Sequence, residues 1–430
     1  MKISIRKHET LLLRFNWPWL TRLALASAFC VLWTSEVWAA ELNVTAEFKP
    51  SILNPGNNKF INTTPQSGYC VSYPSQCQSS NMFSINFPVG FRFETMQANE
   101  PDPRKTAYFK VPASSQGLMV TNESGHSTQI QFRVSGFSMR YVMPVNVTAL
   151  VPGSTSTIDA HNKLWSGGSW VNTPNGCGYS GVGSYGNAHY LAMWKFPVNH
   201  GHCAKRPLHN LHANGMDMDT LSFAYELTTP NPLLLPAGIY SGKVNYSVGP
   251  GGDFDFGDKA IIADNILTLN FTLKVEHEFR IDFPPGSDRA ALEPVGGWQD
   301  WLHNNRPPVA LRRELAFNLA SSGEFSVHLE CLHEAGNQCA LRRDGDPGGL
   351  PIQVALTMPG VVARDGGAPA SRTPLGVGAA NKTVFESPAY SQNRASRLHF
   401  EMGRDAAAEL VKYPGQTFRG DVTVVFDADI

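Results

Sequence analysis

The sequence closes with Tyr413-Pro414-Gly415-Gln416-Thr417-Phe418-Arg419-Gly420-Asp421-Val422-Thr423-Val424-Val425-Phe426-Asp427-Ala428-Asp429-Ile430. A Pro-Gly turn and a further glycine lead into a run in which Val422, Val424, Phe426, Ala428 and Ile430 alternate. Successive side chains of a strand point to opposite faces, so these five share one face. A strand with an apolar face and nothing after it needs a neighbour on its free edge. Two readings follow from the residues: the last strand of a complete sandwich, or a strand whose neighbour comes from elsewhere.

Working back from that tail, period-2 alternation dominates and helical periodicity is scarce. Gln129 to Val134 and Ser138 to Met143 alternate cleanly. Lys243 to Val248 runs into the turn Gly249-Pro250-Gly251-Gly252, and Leu267 to Val275 follows, so these two runs are expected to be neighbouring strands. Leu315, Phe317 and Leu319 alternate into Ser321-Ser322-Gly323, and Phe325, Val327, Leu329 and Cys331 alternate out of it. Leu398, Phe400 and Met402 form another face. Many short strands punctuated by 38 Gly and 30 Pro predict an all-β chain of two sandwich domains. The boundary is expected near Glu276-His277-Glu278, giving domains 40–276 and 277–430. The alternation of Glu41 to Phe48 is read as the first strand of the front domain; the competing reading is a donor strand for another molecule.

The N-terminus reads as an export signal over residues 1–39: Lys2, Arg6, Lys7, Arg14 and Arg22, then the apolar stretch 23–32, then Val37 and Ala39 as small residues before a cleavage point. The alternative is a single membrane anchor, although the apolar run is shorter than the ~20 residues that span a bilayer. The chain has 35 basic and 36 acidic side chains. Removing the five basic and two acidic ones of residues 1–39 leaves 30 against 34, a net charge of −4. That balance gives no basic patch for nucleic acid. Of the seven cysteines, Cys30 lies in the leader. An even remainder in an exported chain reads as disulfides, with several connectivities open; neighbour pairing, Cys70–Cys77, Cys177–Cys203 and Cys331–Cys339, is the simplest. The chain has no CxxC, and so no standard cysteine–zinc spacing.

The tail, with its Pro-Gly turn, glycine and final alternating strand, resembles the C-terminal signature of pilin domains of the chaperone–usher pathway. The Cys331 and Cys339 pair and the strand through Leu398 and Phe400 fit the same family. A larger Cys- and Trp-bearing domain ahead of the pilin domain resembles the layout of fimbrial tip adhesins and minor pilins. The tail motif covers the C-terminal third, and the remainder is similar in layout only. The resemblance implies an incomplete immunoglobulin-like sandwich, completed by donor-strand exchange at the edge carrying Val422, Val424, Phe426, Ala428 and Ile430. It implies a periplasmic pilus chaperone, an outer-membrane usher and the adjacent pilin subunit as partners, export through the periplasm to the fimbrium at the cell surface, and no cofactor. Four or five missing apolar side chains at about 2 kcal/mol each remove about 8–10 kcal/mol. That rivals the ~5–15 kcal/mol total stability of a domain, so the rear domain is expected to be unstable alone.

In the front domain, Trp165, Trp170, Tyr179, Tyr185, Tyr190 and Trp194 lie among many glycines. Exposed aromatics offer flat faces on which sugar rings stack, and Asn172, Asn175 and Asn187 would bond hydroxyls. Trp165, Trp170, Tyr179, Tyr185, Asn187 and Tyr190 are therefore candidate ligand contacts for a surface glycan; the competing reading places the aromatics in the core, and for Trp194 the core is preferred. His200 and His202, with His209, His212, Asp217 and Asp219 beyond, are weak candidates for a metal, in no standard spacing. Gly178-Tyr179-Ser180-Gly181 misses the nucleophile-elbow pattern by one position, and no phosphate-loop signature occurs. Three functions are carried forward: a tip adhesin, which is not an enzyme; a minor pilin that initiates assembly without a receptor; and a secreted β-sandwich polysaccharide hydrolase.

Overall fold

The structure is a computed structural model that describes residues 2–7, by their backbone, and 40–51, 53–54, 57–211 and 215–428. The expected apolar leader core and cleavage point, His212 and Ile430 lie outside the described residues. Among the described residues, no helix is long and apolar enough to cross a membrane.

The chain is all-β in two domains. In the front domain the principal strands are β1 (Ala40–Phe48), β2 (Gln116–Thr121), β3 (Ser127–Val142), β4 (Gly178–Tyr185), β5 (His189–Lys195), β6 (Met216–Thr228), β7 (Gly238–Ser247) and β8 (Ile266–Val275). They belong to one twelve-stranded sheet that runs β6-β3-β2-β7-β8-β1 through its middle, with β5 pairing both β3 and β4. The long strand β3 organises it. Its first half pairs with β2, its second half with β5, and β6 follows its other edge. Strands β7 and β8 pair antiparallel from Gly238 opposite Val275 to Ser247 opposite Ile266, as their alternation predicts. Strand β1 lies parallel to β8, with Val44 opposite Phe271, so residues 40–48 are a strand of the front domain.

The inward residues of these strands make one core that is unusually aromatic. Phe87, Phe91, Phe93, Phe109, Phe137, Phe254 and Phe256 interlock at its centre, and Phe91 and Phe256 are stacked with ring centroids 4.0 Å apart. Each buried aromatic removes a large apolar area from water.

The rear domain contains β9 (Phe279–Asp282), β10 (Leu311–Ser321), β11 (Phe325–Cys331), β12 (Gln338–Arg343), β13 (Leu350–Thr357), β14 (Thr383–Glu386), β15 (Ser391–Met402) and β16 (Asp421–Asp427). One sheet runs β9-β10-β15-β13-β12; the other holds β16, β11 and β14. Leu315, Phe317 and Leu319 of β10 and Leu398, Phe400 and Met402 of β15 meet Phe325, Val327 and Leu329 of β11 across the core. This is a sandwich packed from the alternation seen in the sequence. The front core ends at Val275 and the rear core begins at Phe279, and no residue belongs to both.

All three disulfides pair neighbouring cysteines: Cys70–Cys77, Cys177–Cys203 and Cys331–Cys339. The first closes a pair of short helices, Tyr69–Ser72 and Pro74–Ser79, against the front sheet. The third joins β11 to β12, and so ties the two rear sheets together.

Candidate functional site

At the end of the chain, Val422, Val424 and Phe426 are buried in the rear core, and Ala428 packs half-buried against it. One edge of β16 is paired with β11, Leu329 standing opposite Val424 and Val327 opposite Phe426. The other edge is taken by the strand Lys2–Lys7, in parallel, with Ile3 opposite Val422 and Ile5 opposite Val424. Among the described residues, no strand of the rear domain pairs with that edge. Its occupant comes from the far end of the sequence, from the segment expected to be a cleaved leader. The sequence reading passed over this strand. The signal was present in the short alternation Ile3-Ser4-Ile5 inside the basic stretch.

The front-domain aromatics divide into two sets. Trp165, Trp170 and Tyr190 are buried at 0%, 0% and 1% exposure, which overturns their assignment as ligand contacts. They continue the aromatic core. Trp170 donates its indole N–H to the Met139 carbonyl at 3.2 Å, and Trp194 donates to the Trp170 carbonyl at 2.9 Å. Trp194 is buried, as preferred. Tyr179 and Tyr185, at 63% and 49% exposure, stand on the surface with Val182 between them.

Glycine explains how residues three apart share a face of β4. Against β5, Tyr185 faces Tyr190, Ser184 faces Leu191, Val182 faces Ala192 and Tyr179 faces Trp194. Two irregularities in that register insert extra residues into β4. Gly181 takes φ +130, where a side chain is strained, and a Cβ there would lie 2.5 Å from Gln76 Oε1. The disulfide-closed helix pair holds the strand in place. The Tyr69 hydroxyl donates to Gln76 Oε1 at 2.6 Å and lies 3.1 Å from the Gly181 carbonyl, and Gln76 Nε2 donates to the Val182 carbonyl at 2.9 Å. Val182, Tyr69 and Gln76 were not read as part of the site from sequence. Asn187 is exposed, and its side-chain carbonyl accepts from Thr157 Oγ1 at 3.1 Å. Asn172 and Asn175 are exposed on the preceding loop.

Beneath Tyr185 lies a closed polar chain. Tyr185 stacks on Tyr190 at 5.5 Å, and Tyr190 packs edge-on against the buried His161. His161 Nε2 donates to the Gly186 carbonyl at 2.8 Å, which leaves Nδ1 to accept from the Tyr141 hydroxyl at 2.5 Å. Burial holds the His161 pKa below its ordinary value, so the ring is neutral and both nitrogens are satisfied. Burial also lowers Lys205, to about 8; its ammonium bonds the Asn172 carbonyl.

His200 and His202 do not converge on a shared point. His200 Nε2 rests 3.1 Å from Cys177 Sγ, and His202 stacks on Tyr108 at 4.7 Å. The ligand atoms of Cys177, His200 and Cys203 lie within 4.8 Å of one another, but both sulfurs are spent in the disulfide. The histidine nitrogen alone makes no metal site. Burial lowers the His202 pKa, helped by His200 and Arg104. Asp219 is committed to Arg140, at 2.6 Å.

One alignment in the rear domain has the group order of a hydrolase. Thr357 Oγ1 lies 2.8 Å from His399 Nε2, and His399 Nδ1 lies 2.9 Å from Glu314. Its parts are tied into a surface ion network instead of a cleft. Thr357 Oγ1 already accepts the Arg372 N–H at 2.9 Å, and Glu314 is shared with Arg372 and Arg397. A nucleophile needs a free lone pair facing a substrate space.

No protein-family model matches the chain, and no curated protein matches it. A solved structure with similarity to it is a chaperone–tip adhesion subunit pre-assembly complex from the archaic chaperone-usher Csu pili of Acinetobacter baumannii. The identity is 10%, over 90% of this chain and 98% of that chain, with a TM-score of 0.21. A score of that size does not establish a shared fold.

Proposed function

We propose that the chain is a tip adhesin of a chaperone–usher fimbrium: residues 40–276 bind a surface ligand, and residues 277–430 form a pilin domain that joins the fibre. The observation that carries this reading is the outer edge of β16. Val422, Val424 and Phe426 are buried in the rear core, and among the described residues no rear-domain strand pairs with that edge; a six-residue strand from residues 2–7 takes the place. Once a leader is removed the edge is bare, and an unpaired edge over an apolar core recruits a strand from another chain. In this reading a periplasmic chaperone supplies it first and the adjacent subunit later, after export through the periplasm and passage through an outer-membrane usher to the cell surface.

The exposed Tyr179, Val182 and Tyr185 stripe supports a ligand face on the front domain. Two tyrosine faces on a strand pinned by a disulfide-closed helix pair are pre-organised for stacking on a sugar ring, with Asn187 beside them. Binding, not catalysis, is the activity assigned to it.

Separate expression of 40–276 and 277–430 in a bacterial periplasm tests the reading. The front piece is expected to be soluble, and the rear piece to be recovered only with a pilus chaperone. A monomeric, cooperatively folding rear piece made without helpers would overturn it. A glycan array on the front piece then separates an adhesin from a minor pilin that merely initiates assembly.

A further inference from the structure

We propose that Asn175 is a site of spontaneous deamidation, which places a negative charge at the base of β4; this is independent of the functional reading above. Asn175 and Gly176 are both exposed at the tip of a turn, closed by a hydrogen bond from Cys177 N–H to the Pro174 carbonyl at 3.1 Å. Gly176 takes φ +87, the value of the third residue of a type II turn. Among the described residues, no acceptor takes its N–H. The positive φ favours glycine here, and a Cβ would also push against the end of the His200 side chain, 2.4 Å away at Cε1. The residue that the backbone favours is therefore the one with no side chain to shield its amide nitrogen from the preceding asparagine.

The chemistry needs only water. The Gly176 amide loses its proton to solvent, and its nitrogen attacks Asn175 Cγ. The new C–N bond closes a five-membered imide, and the side-chain nitrogen leaves as ammonia. Water then opens the imide at either carbonyl, giving aspartate or isoaspartate. Thr173, Ala188 and His200 follow Asn172, Asn187 and Asn199, and each carries a Cβ that hinders the same attack. The product carboxylate stands one residue before Gly176, against which His200 packs, and two residues before Cys177 and four before Tyr179. The isoaspartate form adds a backbone methylene just ahead of the loop that the Cys177–Cys203 bridge closes.

Incubation of the folded full chain at physiological pH and body temperature, followed by reduction, digestion and tandem mass spectrometry, reads the site directly. The expected result is a one-dalton gain localised to residue 175, split into two isobaric peptides, of which one accepts a methyl group from isoaspartyl methyltransferase. The gain forms several-fold faster one pH unit higher and is lost in Asn175→Gln. If residue 175 keeps its amide in the folded chain, whether or not heat-unfolded chain reacts there, the proposal fails.

Discussion

His277 Nε2 donates to the Leu235 carbonyl at 2.8 Å, so one imidazole ties the front domain to the connection between the two cores. Its Nδ1 faces Ser322 Oγ at 3.2 Å. That oxygen already accepts the Glu278 N–H at 2.8 Å and so turns its own proton to the ring. The ring is neutral: burial lowers its pKa, and the Leu235 bond opposes this only in part.

His277 and His161 share a pH signature. Each has a folded pKa below its unfolded value of about 6.5, so the unfolded chain binds more protons just below that pH. The stability they contribute is complete above about pH 6.5 and is lost as pH falls through it. Melting temperature is expected to decline from pH 6.5 towards 5, before carboxylate titration dominates. A His161→Gln, His277→Gln double variant is expected to show a flatter profile over that window in scanning calorimetry.

Val424 lies at the centre of the open-edge strand, with Leu329 opposite on one side and Ile5 on the other. Val424→Arg buries a charge in the rear core and is expected to cost about 4 kcal/mol or more. A synthetic peptide of residues 2–7 added to a chain starting at residue 40 is expected to raise its melting temperature. At a hundredfold excess over its Kd the gain is about 2.7 kcal/mol. A version of that peptide with Ile3 and Ile5 replaced by aspartate is expected to do nothing, as read by differential scanning fluorimetry.

Asp255 is 2% exposed and is held by Arg104 at 2.8 Å. Burial alone would raise its pKa, but Arg104 and the Gly257 and Gly251 N–H groups bring it below the ordinary carboxylate range. Arg104→Met strands that carboxylate. The expected loss is about 3 kcal/mol, at the low end for breaking a buried pair because Arg104 is itself about a third exposed. Chemical denaturation of the front domain measures it.

The two aromatic sets respond oppositely. Trp170→Ala empties a core site and is expected to cost about 3–5 kcal/mol. Tyr179→Ala and Tyr185→Ala should change stability by about 0.5 kcal/mol or less, yet abolish retention on the ligand the array identifies. A loss of stability without a loss of retention would return both tyrosines to a packing role.

The strand content was legible because period-2 alternation reports burial directly, as in Leu315, Phe317 and Leu319. The apolar tail was legible for the same reason. Alternation does not name a strand's neighbour, so the sequence alone left the far side of Val424 open. The candidate ligand face was half legible. Aromatics among glycines mark a region, but Trp170, buried in the loop before β4, and Tyr179, exposed on β4, carry the same composition signal. The register of β4 against β5 depends on irregularities, one of them beside Gly181 at positive φ, which shift which residues face outward without any trace in the hydrophobic pattern. His200 and His202 were only weak metal candidates, and their spacing carries no sign that the Cys177–Cys203 bridge lies against His200.

Three residues, 276–278, separate β8 from β9, and β8 is clasped along its length by antiparallel β7 on one side and parallel β1 on the other. If the chain works in a fibre as proposed, tension passed from the rear domain would enter the front domain along the axis of β8. Both ladders are then loaded in shear, many hydrogen bonds at once, and not peeled apart pair by pair. On the proposed reading the front domain would resist drag with its middle strands, several places along the sheet order from the strand that carries Tyr179 and Tyr185.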